Sequence, residues 1–552
     1  MNAKRAFALL LIFTLIFAGL GLRLFNIQIV DREKLSRAAS SQRTTSLEIE
    51  KLRGDILDRN QIPFTNRSKK YIVILKPLLL QEREDELKII CSILGLDFKN
   101  VMGAIAFGRE PFIIETDEQK KNIIMSLKYD GVSIVNSLYR YDNNSLARHI
   151  LGYINTVDGI GNAGIEKYYN DALVYDVENL VAVVTDGNNN VVPGMGYRIM
   201  NVQGDNKKLN VKLTLDYHIQ NIVEDVMEKD NITGAVVVEE VDSGNIVAIS
   251  SKPDFDQNNV GNYVNSQGKE LFNRAVASYN LGSIFKIIDV AVMFELKEKW
   301  DEKYFCSGLI KLGDREFKCY SYDKGGHGYV DIDKAFALSC NTYFINSAIK
   351  IDIKAIIEKA QKFGLGDITG IKTQGIDESK GNVPLNVNFF TDGDTANISI
   401  GQGEIMATPV QVADIIATVA NGGIKNRVNI VDSITDENGN KVREIRQKEG
   451  DRIIEKDIAD RIKGMMEKVI DEGTGTMINL DEYGGAAGKT GSAETGEYID
   501  GQSVVHAWFA GYFPRRNPKY SIAVFIENGR MGGTVAGPVF EEVAKRIMEK
   551  GF

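Results

Sequence analysis

The sequence predicts an α+β protein tethered by a single apolar helix, and three observations carry that reading. An uncharged run at residues 6–22, AFALLLIFTLIFAGLGL, follows Lys4 and Arg5 and ends at Arg23. Two β-rich segments, TGAVVVEEV (233–241) and NIVAISS (245–251), are joined by Asp242-Ser243-Gly244, a hairpin signal. After a long, mainly helical middle come two more strand-like segments, SVVHAWFAGYF and YSIAVFIENG. A closing stretch follows with Val539, Phe540, Val543 and Ile547 at helical spacing. Strands at both ends of the segment, with helices between, imply one sheet assembled from its two ends.

The apolar run comes first in the chain. As a helix it rises about 25 Å, just short of a ~30 Å hydrocarbon core. Leu24, Phe25, Ile27, Ile29 and Val30 extend it to the interface. The basic pair ahead of it favours a cytoplasmic N-terminus. No A-x-A-like site follows, which favours a retained anchor over a cleaved signal peptide. Under either reading nearly all of the chain lies outside the cytoplasm.

Composition excludes other classes. The chain has 552 residues, 26% charged, with a net charge of −9, and a duplex binder needs a dense cationic face instead. Its length suggests several domains. We divide it into a cytoplasmic tip and transmembrane anchor (1–25), a mixed α/β pedestal (26–205) and a third domain (206–552). In the pedestal, KYIVILK (70–76) reads as a strand and LLLQEREDELKIICSILGL (78–96) as a helix. VAVVTDGNNNVVPGMGYR reads as a hairpin turning at residues 186–190. No nucleophile and base cluster there.

The chemistry concentrates after residue 206. In YNLGSIFKIIDVAVMFELK, Ser283 stands at the start of an apolar helix and Lys286 follows three residues later, on the same face. A serine hydroxyl needs a nearby base, and a lysine serves as one where burial or neighbouring cations lower its pKa. Alone this pair is weak evidence. Two further segments strengthen it: ALSCNTYF, with Ser339, Cys340 and Asn341, and GGAAGKTGSAET, with Lys489, Thr490, Gly491 and Ser492. The order S-x-x-K, S-x-N, K-T-G is shared by β-lactamases and penicillin-binding proteins.

Further segments resemble class B penicillin-binding proteins: RGDILDRN (53–60), LARHILGYI (146–154), GNAGIEKYYNDAL (161–173), LTLDYHIQ (213–220), GQGEIMATPVQVA (401–413) and AWFAGYFP (507–514). The resemblance covers nearly the whole chain. It is to the shorter elongation or sporulation-type members of Gram-positive bacteria, clostridial ones included. There are three departures: Leu281 replaces the usual proline before the nucleophile, Cys340 is the middle residue of S-x-N, and YRYDNN lacks a proline.

The resemblance implies a single-pass membrane protein with a dimerisation-type pedestal and an extracytoplasmic transpeptidase domain. That domain would be built on a five-stranded antiparallel sheet flanked by helices. It further implies peptidoglycan D,D-transpeptidation inhibited by β-lactams. Ser283 would attack the D-Ala–D-Ala carbonyl and Lys286 would take its proton. Ser339 would relay a proton to the leaving amine, and Asn341 would hold Lys286 and the substrate amide. Lys489 would supply positive charge, Thr490 would bind the terminal carboxylate, and Gly491 would keep the strand edge bare. The backbone N–H groups of Ser283 and Ser492 would form the oxyanion hole. The implied partners are stem peptides, β-lactams and a lipid II polymerase of the SEDS family. A D,D-carboxypeptidase or β-lactamase shares the three motifs but rarely carries the RGDILDRN pedestal. A β-lactam sensor would carry several membrane spans. An inactive divisome scaffold need not keep Ser283, Lys286 and Lys489.

Four cysteines are too few for a disulfide framework. Yet Cys306, Cys319 and His327 share one loop, and two thiolates with an imidazole suit structural Zn²⁺, with Asp301 or Asp323 as fourth ligand. The loop also resembles one that holds zinc in some clostridial class B proteins. A Cys306–Cys319 disulfide or unpaired thiols are the alternatives. The chemistry itself requires no cofactor. Cys91 and Trp508 read as core, His149 and His218 as structural, and QEREDELK as a solvated helix face.

Overall fold

The protein is described by a computed structural model covering residues 3–32, 44–107, 111–155, 158–184, 197–203, 207–297, 300, 303–445, 450–499, 501–529 and 532–552. It divides into two compact units. One comprises Met1–Arg53, Lys69–Leu138 and Tyr175–Lys207, the other Gly54–Ser68, Tyr139–Val174 and Lys208–Phe552.

The first unit opens with the helix Ala3–Phe25. The segment Leu10–Val30, with mean hydropathy 2.1, is long and apolar enough to cross a membrane. A three-stranded sheet follows, with Ser68–Leu75 between Phe112–Thr116 and Val132–Tyr139. Val73, Leu75, Leu87, Ile90, Cys91, Ile105 and Ile124 pack into its core, so Cys91 is an apolar core residue as expected. The single helix expected at 78–96 is two, Pro77–Leu80 and Glu84–Leu94. The second starts afresh because Glu84, Asp85 and Glu86 put three carboxylates at its positive end, where the helix dipole favours them. Val174–Val184 and Tyr197–Gln203 pair antiparallel, as the hairpin pattern predicts. The expected turn at 186–190 lies outside the described residues.

The second unit is built on five antiparallel strands. The elements that frame its central sheet and site, in chain order, are α1 (Tyr217–Lys229), β1 (Gly234–Glu240), β2 (Ile246–Lys252), α2 (Lys286–Glu295), α3 (Asn341–Ala348), α4 (Pro409–Ala420), α5 (Lys456–Asp471), β3 (Ala487–Ile499), β4 (Gln502–Phe513), β5 (Tyr520–Ile526) and α6 (Gly532–Glu549). The sheet order is β2-β1-β5-β4-β3. The register runs Ala523↔Val237 between β5 and β1 and Ala510↔Ala523 between β4 and β5. The two halves of the sheet, more than two hundred residues apart in sequence, therefore meet at β1 and β5.

All of β5 is buried and nearly all of β1, because both faces of the sheet are covered. On one face Val236, Val238, Phe509 and Val524 pack with Ile222 of α1 and Phe540 of α6. On the other, Ala235, Val237, Trp508 and Phe525 join the core that contains α2, α4 and α5. Double coverage explains why these strands read as continuous apolar runs rather than alternating ones. The tight loop expected between β1 and β2 forms, with Gly244 at φ +74°, a backbone conformation natural to glycine.

Three of the family-like segments are tied together inside this unit. Arg140 donates to Glu166 Oε1 at 2.6 Å and to the Gly54 carbonyl at 2.7 Å, and the Tyr141 hydroxyl also donates to Glu166 at 2.9 Å. Asp58, fully buried, accepts from the backbone N–H groups of Asn60, Ile62 and Tyr217. Replacing Glu166 by Ala would leave the Arg140 guanidinium buried without its counter-ion, a loss of about 3–5 kcal/mol. Urea unfolding of the purified protein measures this, and a loss below about 1 kcal/mol, the worth of an exposed pair, would contradict the assignment.

Candidate active site

Ser283 lies not in the first turn of an α-helix but in a 3₁₀ turn, Gly282–Phe285, that feeds α2. The reason is local. Gly282 takes φ +55° and its N–H is bound to the Gly401 carbonyl at 2.9 Å. A Cβ on Gly282 would collide with the Ser492 carbonyl, and one on Gly401 would collide with Gly282 itself. The glycines of NLGS and GQGE thus let three segments touch backbone to backbone. The Trp508 indole, fully buried, donates to the Asn280 carbonyl at 3.0 Å and braces the segment from below.

Lys286 is fully buried. Its Nζ lies 3.0 Å from Ser283 Oγ, 2.9 Å from the Ser339 carbonyl, 3.2 Å from Ser339 Oγ and 2.8 Å from Asn341 Oδ1. Lys489 Nζ, also buried, reaches the same Ser339 Oγ at 3.0 Å. The hydroxyls of Ser283 and Ser339 are therefore linked through one amine, and a second amine completes the chain. Burial pulls the Lys286 ammonium down to about 8. Burial, with the charge of Lys286, holds Lys489 well below the usual lysine range. Two ammonium groups in so dry a site repel each other, so the pair favours a state with one free amine.

Ser339 adopts φ +53°, an uncommon conformation for a non-glycine residue, which turns its side chain and its carbonyl toward the same amine. Asn341 begins α3. Lys489, Thr490, Gly491 and Ser492 lie on β3, the outer strand of the sheet. Thr490 Oγ1 is 2.6 Å from Thr474 Oγ1, a partner with no signal in the sequence. Gly491 has no room for a side chain, because a Cβ would press on the Leu281 carbonyl and on Ile284. Ser492 Oγ accepts from the Gly532 N–H at 3.1 Å. All eight residues singled out around the three motifs converge on one place.

Behind Ser339 the structure brings together Cys306, Cys319, His327 and Cys340, whose ligand atoms all lie within 4.8 Å of one another. His327 Nδ1 is 3.6 Å from Cys306 Sγ and 3.5 Å from Cys319 Sγ. All four cysteines of the chain are free thiols, so the Cys306–Cys319 disulfide does not form. A hydrogen bond from Cys340, assisted by His327, holds Cys319 well below the usual thiol range, as a thiolate. Three sulfurs and one imidazole nitrogen make a soft four-donor set of the kind that suits Zn²⁺. The sequence pattern missed Cys340, which read as a variant of S-x-N and not as a ligand. Asp323 is not in the cluster, and Asp301 lies outside the described residues. His149 Nε2 contacts the Glu270 carbonyl at 2.7 Å and His218 stacks on Phe552, both apart from this cluster.

Comparison with known proteins places the chain. The family model of the penicillin-binding protein transpeptidase domain matches residues 234–549, and that of the penicillin-binding protein dimerisation domain matches residues 48–206. The stage V sporulation protein D of Bacillus subtilis is 27% identical, over 98% of this chain and 85% of its own length. The peptidoglycan D,D-transpeptidase MrdA of Acinetobacter baumannii is 26% identical, over 93% of this chain and 84% of its own. A solved chain from a study of polymerisation and crosslinking by a peptidoglycan synthase complex shares the fold. Its TM-score is 0.72 at 24% identity, with 98% of each chain covered. The chain belongs to the class B penicillin-binding proteins. Its activity is that of a serine-type transpeptidase.

The close approach at Gly282 has a measurable consequence. Gly282→Ala has to move the Ser283 turn away from β3, and a displacement of about 1 Å costs roughly 100-fold in rate. Labelling by a fluorescent penicillin is expected to slow by that order while the protein stays folded. Wild-type labelling would refute the assignment.

Proposed function

We propose that this protein cross-links peptidoglycan stem peptides through an acyl-enzyme on Ser283 formed at a D-Ala–D-Ala bond. The reading rests above all on the Lys286 amine standing between the Ser283 and Ser339 hydroxyls, with Lys489 on the far side. Lys286 as free amine accepts the Ser283 proton while Oγ attacks the carbonyl. Backbone N–H groups of Ser283 and Ser492 take the oxyanion, an interaction worth about 3–4 kcal/mol per donor. Ser339 passes the proton on to the departing D-Ala nitrogen. A second stem peptide then supplies the amine that resolves the acyl-enzyme. The donor peptide lies along the outer edge of β3 as an added strand, and Thr490 binds its carboxylate.

Lys4 and Arg5 ahead of the apolar helix support a cytoplasmic N-terminus and an extracytoplasmic catalytic unit. The family also supports a lipid II polymerase of the SEDS type as membrane partner. We further propose that Cys306, Cys319, His327 and Cys340 hold one Zn²⁺, which would pin the 306–340 segment behind Ser339 and take no part in bond making.

Two measurements test these readings. Acylation by a fluorescent penicillin is expected to rise with pH through about 8, because below that value Lys286 is an ammonium that cannot accept a proton. Ser283→Ala should abolish labelling at every pH, and labelling that survives it would overturn the nucleophile assignment. Purified protein should carry about one zinc per chain, lost with Cys340→Ala or Cys306→Ser. Metal-free protein with all its thiols titratable would overturn the zinc assignment.

A further inference from the structure

We propose that Thr474 is a positioning residue for ligand binding: its hydroxyl donates to Thr490 and so turns the Thr490 proton toward the carboxylate of the incoming peptide or antibiotic. The proposal rests on the reading of Thr490 as the group that binds that carboxylate. Thr474 Oγ1 lies 2.6 Å from Thr490 Oγ1, a short hydrogen bond between two hydroxyls. A threonine hydroxyl has one proton to donate and lone pairs to receive another, whereas a carboxylate only accepts. When Thr490 meets a carboxylate its proton points at the ligand, and the contact with Thr474 then survives only with Thr474 as donor. The outcome is a chain from Thr474 O–H through Thr490 O–H to the carboxylate. Its last bond is charge-assisted, and each bond polarises the next.

Thr474 is held for this task from three sides. It lies just past the end of α5, and the adjoining Gly475 N–H donates to the Val469 carbonyl of that helix at 2.8 Å. The Thr474 N–H donates to the Ala337 carbonyl at 3.1 Å, and Ala337 closes the helix Ile332–Ala337 that leads into Ser339. On the third side α6 packs so closely that a Cβ on Gly533 would press on the Thr474 carbonyl. Thr490 is equally constrained, being 7% exposed and paired within β3 and β4.

The neighbouring groups of β3 fit the same scheme. Ser492 shares a face with Thr490, and its oxygen accepts from the Gly532 N–H at 3.1 Å. There a backbone N–H does for one hydroxyl what the Thr474 hydroxyl does for the other. Lys489 does not substitute for Thr474, because its Nζ is committed to Ser339 Oγ at 3.0 Å and to the Thr490 carbonyl at 3.2 Å.

The test compares two acylating agents that differ at one group, benzylpenicillin and its methyl ester. Second-order acylation rate constants are measured on full-length wild type, Thr474→Val, Thr474→Ser, Thr490→Val and the Thr474→Val/Thr490→Val double variant, the ester by competition with a fluorescent penicillin. In Thr474→Val the acid-to-ester ratio is expected to fall about tenfold, the scale of one hydrogen bond serving a charged group. Thr474→Ser keeps the hydroxyl and should restore the ratio to within about twofold of wild type. The double variant should match Thr490→Val, since Thr474 acts only through Thr490. Equal losses with acid and ester in Thr474→Val would overturn the proposal by showing a purely structural role. A ratio that falls in Thr490→Val but not in Thr474→Val would overturn the role of Thr474 alone. A ratio unmoved in Thr490→Val would overturn the carboxylate reading beneath it. Should Thr474→Val not fold, Thr474→Ala takes its place with the same expected ratio.

Discussion

A primary amine buried without a carboxylate in hydrogen-bonding contact is the constraint around which the catalytic unit is arranged. Lys286 spends its hydrogen-bonding capacity on two serine hydroxyls, one carbonyl and one amide oxygen. Each is neutral, so the ammonium gains little that it would not find in water and gives up its hydration. That imbalance makes the lysine a usable base at moderate pH. The surrounding fold keeps the amine dry: α2 is buried from Lys286 to Met293, and the sheet beside it is covered on both faces.

Burial of this kind requires three distant segments to approach at backbone distance, and glycine makes that possible. Gly282, Gly401, Gly491 and Gly532 each sit where an added Cβ would strike a neighbouring main chain. The hydrogen bond from Gly282 to Gly401 and that from Trp508 to Asn280 fix the nucleophile turn from two sides. The sheet sets the third side, because β3 is delivered to the edge by pairing with β4, itself paired with β5. Positioning here comes from main-chain contacts in a close-packed interior of low compressibility.

Cys340 joins two parts of the site that the motifs treat separately. It stands between Ser339, which contacts both amines, and Asn341, which orients one of them. Its sulfur belongs to the thiol–imidazole cluster with Cys306, Cys319 and His327. Whatever occupies that cluster therefore bears on the placement of Ser339. Ser339, next to Cys340 in the chain, holds an uncommon positive φ of +53°.

From the sequence alone, the fold class, the membrane-length helix, the pairing of the terminal strands and the three motifs could be read. Each depends on local information: apolar period, turn residues, and residue types at short spacing. Ser283, Lys286, Ser339 and Lys489 were legible because the order of their motifs along the chain is itself a signature. What the tertiary structure decided was relational. Cys340 became a member of the cysteine–histidine cluster once the fold fixed distances that chain spacing does not encode. The same holds for the tie of Arg140 to Glu166 and Gly54, and for the contact of Thr474 with Thr490. A side chain's local sequence sets the face it presents, but what it meets there depends on segments tens to hundreds of residues away.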